Sequence, residues 1–282
     1  MIDYERIRSF YDQHRADQVD DPEFLRGTIE GSLGVARFRN RAEARHLARV
    51  LELPRGSEVL DLGGGTGRWS VFFAERGARV TLVELAASLA AGAARNAARR
   101  ELDIRCLVGS ILDPPLEPGQ RFDVIHIGNV LVYINDVDLP RVRDVVRVRA
   151  KQASRLVLRE PVDPHGPSEQ RGGHGAHDHH DYRALFRRPA TYVELFAPDW
   201  RLCYERTTLS HLVPRGRDTH AVVAGMKSSP WRRRLVDALL PTVGYVDYAL
   251  LGLEERIRAS PLAGLLGDPG VVQRFYIFKR RS

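Results

Sequence analysis

The chain has little of what staples, anchors or exports a protein. It holds only 2 cysteines in 282 residues, Cys106 in an apolar run and Cys203 beside aromatics. That excludes a disulfide framework and fits a reducing compartment. Lysine is nearly absent: Lys151, Lys227 and Lys279 are the whole supply among 43 basic residues. The formal charge is +7, yet the arginines that carry it are scattered among acids. The densest groups, Arg232-Arg233-Arg234 and Lys279-Arg280-Arg281, are short. Nucleic-acid binding calls for basic residues gathered on one face, so this distribution argues against a nucleic-acid partner. No stretch approaches the roughly 20 apolar residues that cross a bilayer, and Met1 to Glu5 begins no apolar leader. A cytoplasmic protein without a membrane span is expected. The remainder is ordinary for a globular chain, with 43% hydrophobic and 28% charged residues. Its length suffices for one large domain or a domain with a cap. Monomer and homodimer fit the composition equally.

There is no internal repeat. The first fifty residues read as helices with polar breaks, Tyr4 to His14 and Asn40 to Leu53, the latter with Ala42, Ala44, Leu47, Val50 and Leu51 on one stripe. The pattern then becomes an alternation. Strands are predicted at 58–62, 79–84, 103–108, 122–128 and 154–159, with helices at 69–76, 86–100 and 138–150 between them. The strands are near-continuous apolar runs, as when helices cover both faces of a sheet. This is the signature of a doubly wound, mostly parallel sheet. After Glu160 the alternation stops. Residues 161–181, rich in Gly, His and Pro, read as a loop, and 182–196 as a helix interrupted near Pro189. A strand follows at 200–209, helices at 231–240 and 243–258, and a last strand at 272–278. The expected division is an N-terminal helical lid over 1–53, an α/β core over 54–210, a helical cap over 211–270 and a final core strand over 271–282.

The first strand runs into Asp61-Leu62-Gly63-Gly64-Gly65-Thr66-Gly67. Glycine allows positive φ and lets a ligand approach the main chain without a Cβ in the way. A helix start just beyond offers unpaired N–H groups. The dinucleotide fingerprint G-x-G-x-x-G fails in both registers, because Arg68 or Thr66 falls where glycine is required. The spacing that fits is acid-x-G-x-G-x-G, with Asp61, Gly63, Gly65 and Gly67. Glu84, at the end of the next strand, is placed to accept hydrogen bonds from two ribose hydroxyls.

In these features the sequence resembles the class I S-adenosylmethionine-dependent methyltransferase family, over roughly residues 55 to 160 and more loosely the last strand. The resemblance implies a seven-stranded Rossmann-like sheet, with N-terminal helices and a helical insertion before the last strand. It implies S-adenosylmethionine as cofactor, held by Asp61, Gly63, Gly64, Gly65, Gly67, Glu84 and Leu85. In the family the residue after a glycine such as Gly109 is commonly Asp, reaching the adenine amino group. Here it is Ser110, a departure, while Ile111 can still offer its backbone N–H. Asn129 ends the fourth strand near the transferable methyl. Tyr11 and Arg39 are candidates for the methionyl end, since a guanidinium fork suits a carboxylate. Tyr133 and Glu160 are expected to touch the acceptor.

A sulfonium carries its own activated methyl, so a base is needed only for a protonated acceptor. Half of the ten histidines, His165, His174, His177, His179 and His180, lie close together. A metal site, a general base at His165 and a plain exposed loop all fit this spacing. The glycines around it supply no ligand geometry, so no metal is expected, and His165 is the candidate base. His126, within an apolar strand, reads as a packed core residue. The expected activity is methyl transfer to an O or N atom of a small or medium-sized metabolite, in specialised metabolism. The alternatives are a S-adenosylmethionine-binding protein without transfer and an RNA-directed methyltransferase. Against the latter, Asn129-Val130-Leu131-Val132 is not the Asn/Asp-Pro-Pro-aromatic motif common in enzymes that methylate base amino groups.

Overall fold

The structure, a computed structural model, describes residues 1–15, 33–171, 183–208, 257 and 271–281. The chain divides into two compact units. One comprises Met1–Pro22, Leu51–Arg206 and Val271–Ser282, and the other Glu23–Val50 and Thr207–Gly270.

In the first unit the described elements are α1 (Tyr4–Arg15), β1 (Glu58–Leu62), a helix at Arg68–Ala74, β2 (Arg79–Glu84), a helix at Ala87–Arg99, β3 (Ile104–Val108), β4 (Phe122–Gly128), a helix at Leu139–Arg149, β5 (Ala150–Val162), β6 (Ser168–Arg171), β7 (Arg183–Phe186), a helix at Pro189–Phe196, β8 (Trp200–Thr207) and β9 (Val272–Arg280). With Leu33–Val50 of the second unit as α2, these helices are α3, α4, α5 and α6 in chain order. Seven strands form one sheet in the order β3-β2-β1-β4-β5-β9-β8. The first five are mutually parallel, and β9 runs antiparallel to β5. This is the doubly wound, seven-stranded architecture expected. The order reverses between β1 and β4, which opens a crevice at their C-terminal ends, where such sheets bind ligands.

Period-two alternation sorts the strand residues onto two faces. Leu60, Ile125, Leu156 and Phe278 stand in register on one face. They pack with Leu139, Val142 and Val146 of α5 and Tyr192 and Phe196 of α6. On the opposite face Asp61, His126, Val157 and Ile277 are in register, and Trp69 of α3 lies against both His126 and Phe275. Trp69, Phe72 and Phe73 are all buried, each removing apolar surface from water for about 1.5–3 kcal/mol.

Two local expectations are corrected. Residues 161–181 are not all loop: β6 pairs antiparallel with β7, from Ser168↔Phe186 to Arg171↔Arg183. The helix expected from 182 begins at Pro189. Proline's fixed φ and missing N–H suit a helix start, so the residues before it are free to pair as a strand. The polar composition of β6 (Ser-Glu-Gln-Arg) hides it from any apolar-pattern reading. His174, His177, His179 and His180, and the expected helices at 231–240 and, apart from Ile257, 243–258, lie outside the described residues.

Candidate functional site

The glycine turn is built almost entirely from backbone. Gly63, Gly65 and Gly67 have φ of +72°, +56° and +85°, a region that L side chains rarely adopt. The N–H groups of Gly63 and Gly64 donate to Val83 O at 2.7 and 3.3 Å, which fastens the turn to β2. Side chains are excluded by contact as well as by φ. A Cβ on Gly63 would stand 2.3 Å from Val130 Cγ2, and one on Gly64 2.5 Å from Leu82. Asn96 of α4 donates to Thr66 O at 3.1 Å, closing the turn from the other side.

Glu84 ends β2 and faces this turn. Its Oε2 accepts from Gly65 N–H at 2.9 Å and its Oε1 from Ala86 N–H at 2.9 Å. Burial pushes its carboxyl above the usual range, and the N–H groups of Ala86, Gly65 and Leu85 pull the other way. Each carboxylate oxygen can accept more than one hydrogen bond, so capacity remains for two ribose hydroxyls. The bare glycine backbone and this buried acid at one crevice fit an adenosine cofactor. Gly109 N–H donates to Glu84 O at 2.9 Å, carrying the cradle on to Ser110 and Ile111. Ser110 Oγ accepts from Leu112 N–H at 3.1 Å, so its hydroxyl serves the turn. Ile111 is buried in the core, and Leu85 is half-buried at the start of the loop after β2.

Comparison with known proteins agrees with this geometry. The family described as a methyltransferase domain matches residues 59–151. The chain is thus similar to methyltransferase domains over that region. It is 33% identical over 138 residues to demethylmenaquinone methyltransferase of Thermobifida fusca (strain YX), a match spanning 47% of this chain and 56% of that protein. The chain thus spans little more than half the length of this curated relative. Among solved structures it resembles 1,6-didemethyltoxoflavin-N1-methyltransferase of Burkholderia thailandensis. There the TM-score is 0.55 and the identity 13%, over 99% of this chain and 87% of that one. It also resembles geranyl diphosphate C-methyltransferase of Streptomyces coelicolor A3(2), with a TM-score of 0.54 and 17% identity over 86% and 76% of the two chains. At these identities the solved structures speak for the fold.

Within the matched region Asp61 has another task than its motif position implies. It is 1% exposed. Its Oδ1 meets His126 Nδ1 at 2.8 Å, and its Oδ2 accepts from Ser70 Oγ at 2.6 Å. Both oxygens are hydrogen-bonded inside the protein, so Asp61 ties β1 to β4 and α3. His126 is buried as expected, but its link to Asp61 went unseen. The signal was available: two polar residues in apolar strands that a parallel register sets side by side need each other as partners.

Glu160 is likewise corrected, from an acceptor contact to a buried brace. It is 0% exposed. Its Oε1 accepts from the N–H groups of Val130 and Leu131 at 2.9 and 3.2 Å. Burial pushes its carboxyl up to about 7. Arg187, missed in the sequence, grips the same loop from beyond: its guanidinium donates to Leu131 O at 2.6 Å and to Asp136 Oδ1 at 2.7 Å, and also to Ile134 O. The loop between them carries Tyr133, whose hydroxyl accepts from Tyr11 Oη at 2.9 Å, so two predicted site residues are brought together. Helix α1 is pinned at both ends. Asp12 Oδ1 accepts from Ser88 N–H and Oγ at 2.9 and 2.8 Å, while Tyr4 Oη donates to Asp138 at 2.5 Å and Asn135 exchanges hydrogen bonds with Ile2. Asn129 stands exposed at the end of β4. His165 is exposed just past β5, its N–H donating to Asp163 Oδ1 at 2.9 Å. Arg39 belongs to α2 in the second unit, and its side chain lies outside the described residues.

Proposed function

We propose that this chain transfers a methyl group from S-adenosylmethionine to an O or N atom of a small or medium-sized metabolite, in specialised metabolism. The observation that carries the reading is the pairing of buried Glu84 with Gly65 N–H at the β1–β4 crevice. It sets an acid and a bare backbone side by side at the strand ends. When bound, the cofactor supplies an activated methyl. The chain's part is to hold and orient: Glu84 and the glycine turn on one side, and the braced loop from Asn129 to Tyr133 on the other. Helix α1 is bonded to Ser88 after β2 and to Tyr133 of the loop, and its assigned part is to keep water from the reacting groups. Relatives named for demethylmenaquinone, didemethyltoxoflavin and geranyl diphosphate support a small-molecule acceptor. Where the acceptor must lose a proton, we assign the base to His165, which stands at the same edge of the sheet.

Isothermal titration with S-adenosylhomocysteine tests the cofactor reading, with micromolar binding expected, on the order of −8 kcal/mol. Affinity for NAD and none for S-adenosylhomocysteine sinks it. His165→Ala is expected to lower turnover by roughly a hundredfold and leave cofactor affinity in place. Unchanged turnover removes His165 as the base.

A further inference from the structure

The turn that carries Tyr133 is gripped at both of its ends by buried charged side chains. Leu131–Tyr133 form a single 3₁₀ turn. A turn this short leaves N–H groups at its start and carbonyls at its end in need of outside partners. Glu160 takes the N–H groups of Val130 and Leu131. Arg187, just past β7, takes the carbonyls of Leu131 and Ile134 and reaches on to the Asp136 carboxylate. All three guanidinium nitrogens are engaged in this way, and Arg187 is 3% exposed. A planar guanidinium offers its donors in a rigid fork, so these bonds together fix one shape of the turn.

What the turn presents is Tyr133. Leu131, Val132 and Ile134 are buried, whereas Tyr133 is half-buried. Its hydroxyl meets that of Tyr11 at 2.9 Å, and the two rings stand edge-on. Asp12, next to Tyr11 on α1, holds Ser88 at the start of α4. Ser88 follows β2 and Tyr133 follows β4, the two neighbours of β1 in the sheet. The latter part of α1 is therefore fastened on both sides of the strand that ends in the glycine turn. The Ser88 fastening is a direct contact with a regular helix. The Tyr133 fastening depends on a loop whose shape Arg187 sets.

We propose that Arg187 is a positioning residue for the cofactor site: through Tyr133 and Tyr11 it keeps α1 fastened beside the glycine turn, and so governs how long a bound cofactor is retained. This rests on the methyltransferase reading of the crevice. It also gives the polar hairpin β6–β7 a task, since Arg187 continues its second strand. Nothing in the sequence marks Arg187, because it reaches the turn only once β5, β7 and the end of β4 have come together.

The test uses the full chain loaded with labelled S-adenosylhomocysteine and chased with an excess of the unlabelled compound, so that the release rate is read. Tyr11→Phe is expected to speed release about fivefold, as for the loss of one hydrogen bond. Arg187→Lys keeps the buried positive charge and loses the fork, and is expected to speed release by about the same factor. Arg187→Met, which removes the charge as well, should do so too. Added to Tyr11→Phe, either change at Arg187 should speed release by less than about a further twofold, while its effect on the melting temperature persists in full. Arg183→Gln, on the same hairpin but bonded to Met1 O, should leave release within about twofold of the parent. If Arg187→Met does not fold, Arg187→Lys carries the comparison. Unchanged release in Arg187→Lys or Tyr11→Phe overturns the inference, as does full additivity of the two changes, or equal acceleration by Arg183→Gln. If S-adenosylhomocysteine binds and one of these results is found, this inference alone falls. If S-adenosylhomocysteine does not bind, the methyltransferase reading falls with it.

Discussion

The two sides of the β1–β4 crevice are built by opposite means. The side formed by the ends of β1 and β2 is local. A seven-residue stretch from Asp61 to Gly67 supplies its backbone and Glu84 its acid, and the main-chain conformation itself makes the space. The side formed by the ends of β4 and β5 is assembled from distant parts. The loop from Asn129 to Ile134 is held in shape by Glu160 and Arg187, side chains that reach it from later in the chain and are almost wholly buried. One side is made by leaving side chains out, and the other by packing charged side chains in. A glycine turn is cheap to keep and intolerant of any Cβ. A buried brace tolerates shape changes around it but ties the fold to the protonation state of its members.

The sharpest break of this contrast is Glu84→Ala. It deprives backbone N–H groups, Gly65 and Ala86 among them, of their acceptor and removes the proposed ribose partner. S-adenosylhomocysteine affinity is expected to fall by about a hundredfold or more in titration calorimetry. Retained affinity would show that backbone alone suffices on that side. Next is the protonation of Glu160. Its carboxyl, at about 7 in the fold against an ordinary 4.5, is raised because burial disfavours the charge. Its contribution to stability is therefore complete below about pH 4.5 and lost as pH rises through about 7, with about 3 kcal/mol at stake. The melting temperature is expected to fall between about pH 4.5 and pH 7 on this account, and Glu160→Gln to flatten that slope. An identical slope in the variant would remove Glu160 as its source.

A smaller effect is expected from Gly63→Ala, which places a Cβ against Val130 at a left-handed φ. A loss of about 1–3 kcal/mol in stability is expected, partly recovered by adding Val130→Ala, since the two residues touch and their effects are coupled. Simple additivity of the two changes would argue that the sides do not meet there. The least disturbing change is Tyr11→Phe, which deletes the hydroxyl contact with Tyr133. It should weaken acceptor affinity by less than about tenfold and leave the melting temperature nearly unchanged.

The same contrast decides what the sequence could disclose. The alternation of strands and helices, the seven-stranded sheet and the glycine turn were legible, because period, glycine spacing and strand ends are local properties. The place of Glu84 at the end of β2 was legible for the same reason. Glu160 was noticed but given the wrong surroundings, since nothing near it in the chain announces that Val130 and Leu131 sit over it. Arg187 was lost among the many arginines of the chain. Asp61 and His126 were read as a ligand contact and a core residue, when their parallel register makes them partners. Each miss is a relation between residues far apart in sequence, fixed only when strands pair. The β6–β7 hairpin was missed for a different reason: its first strand is polar on every position.

Helix α1 has a consequence for the order in which this domain is made. Its residues leave the ribosome before the strands it packs on, yet Tyr4 and Ile2 find their partners in Asp138 and Asn135, and Asp12 finds its own in Ser88. Through much of synthesis this helix has nothing to grip. A short isolated helix is marginal in water, so α1 must wait unstructured while β1 to β4 are laid down behind it. The segment that straps the crevice is thus translated before its partners and is among the last to dock.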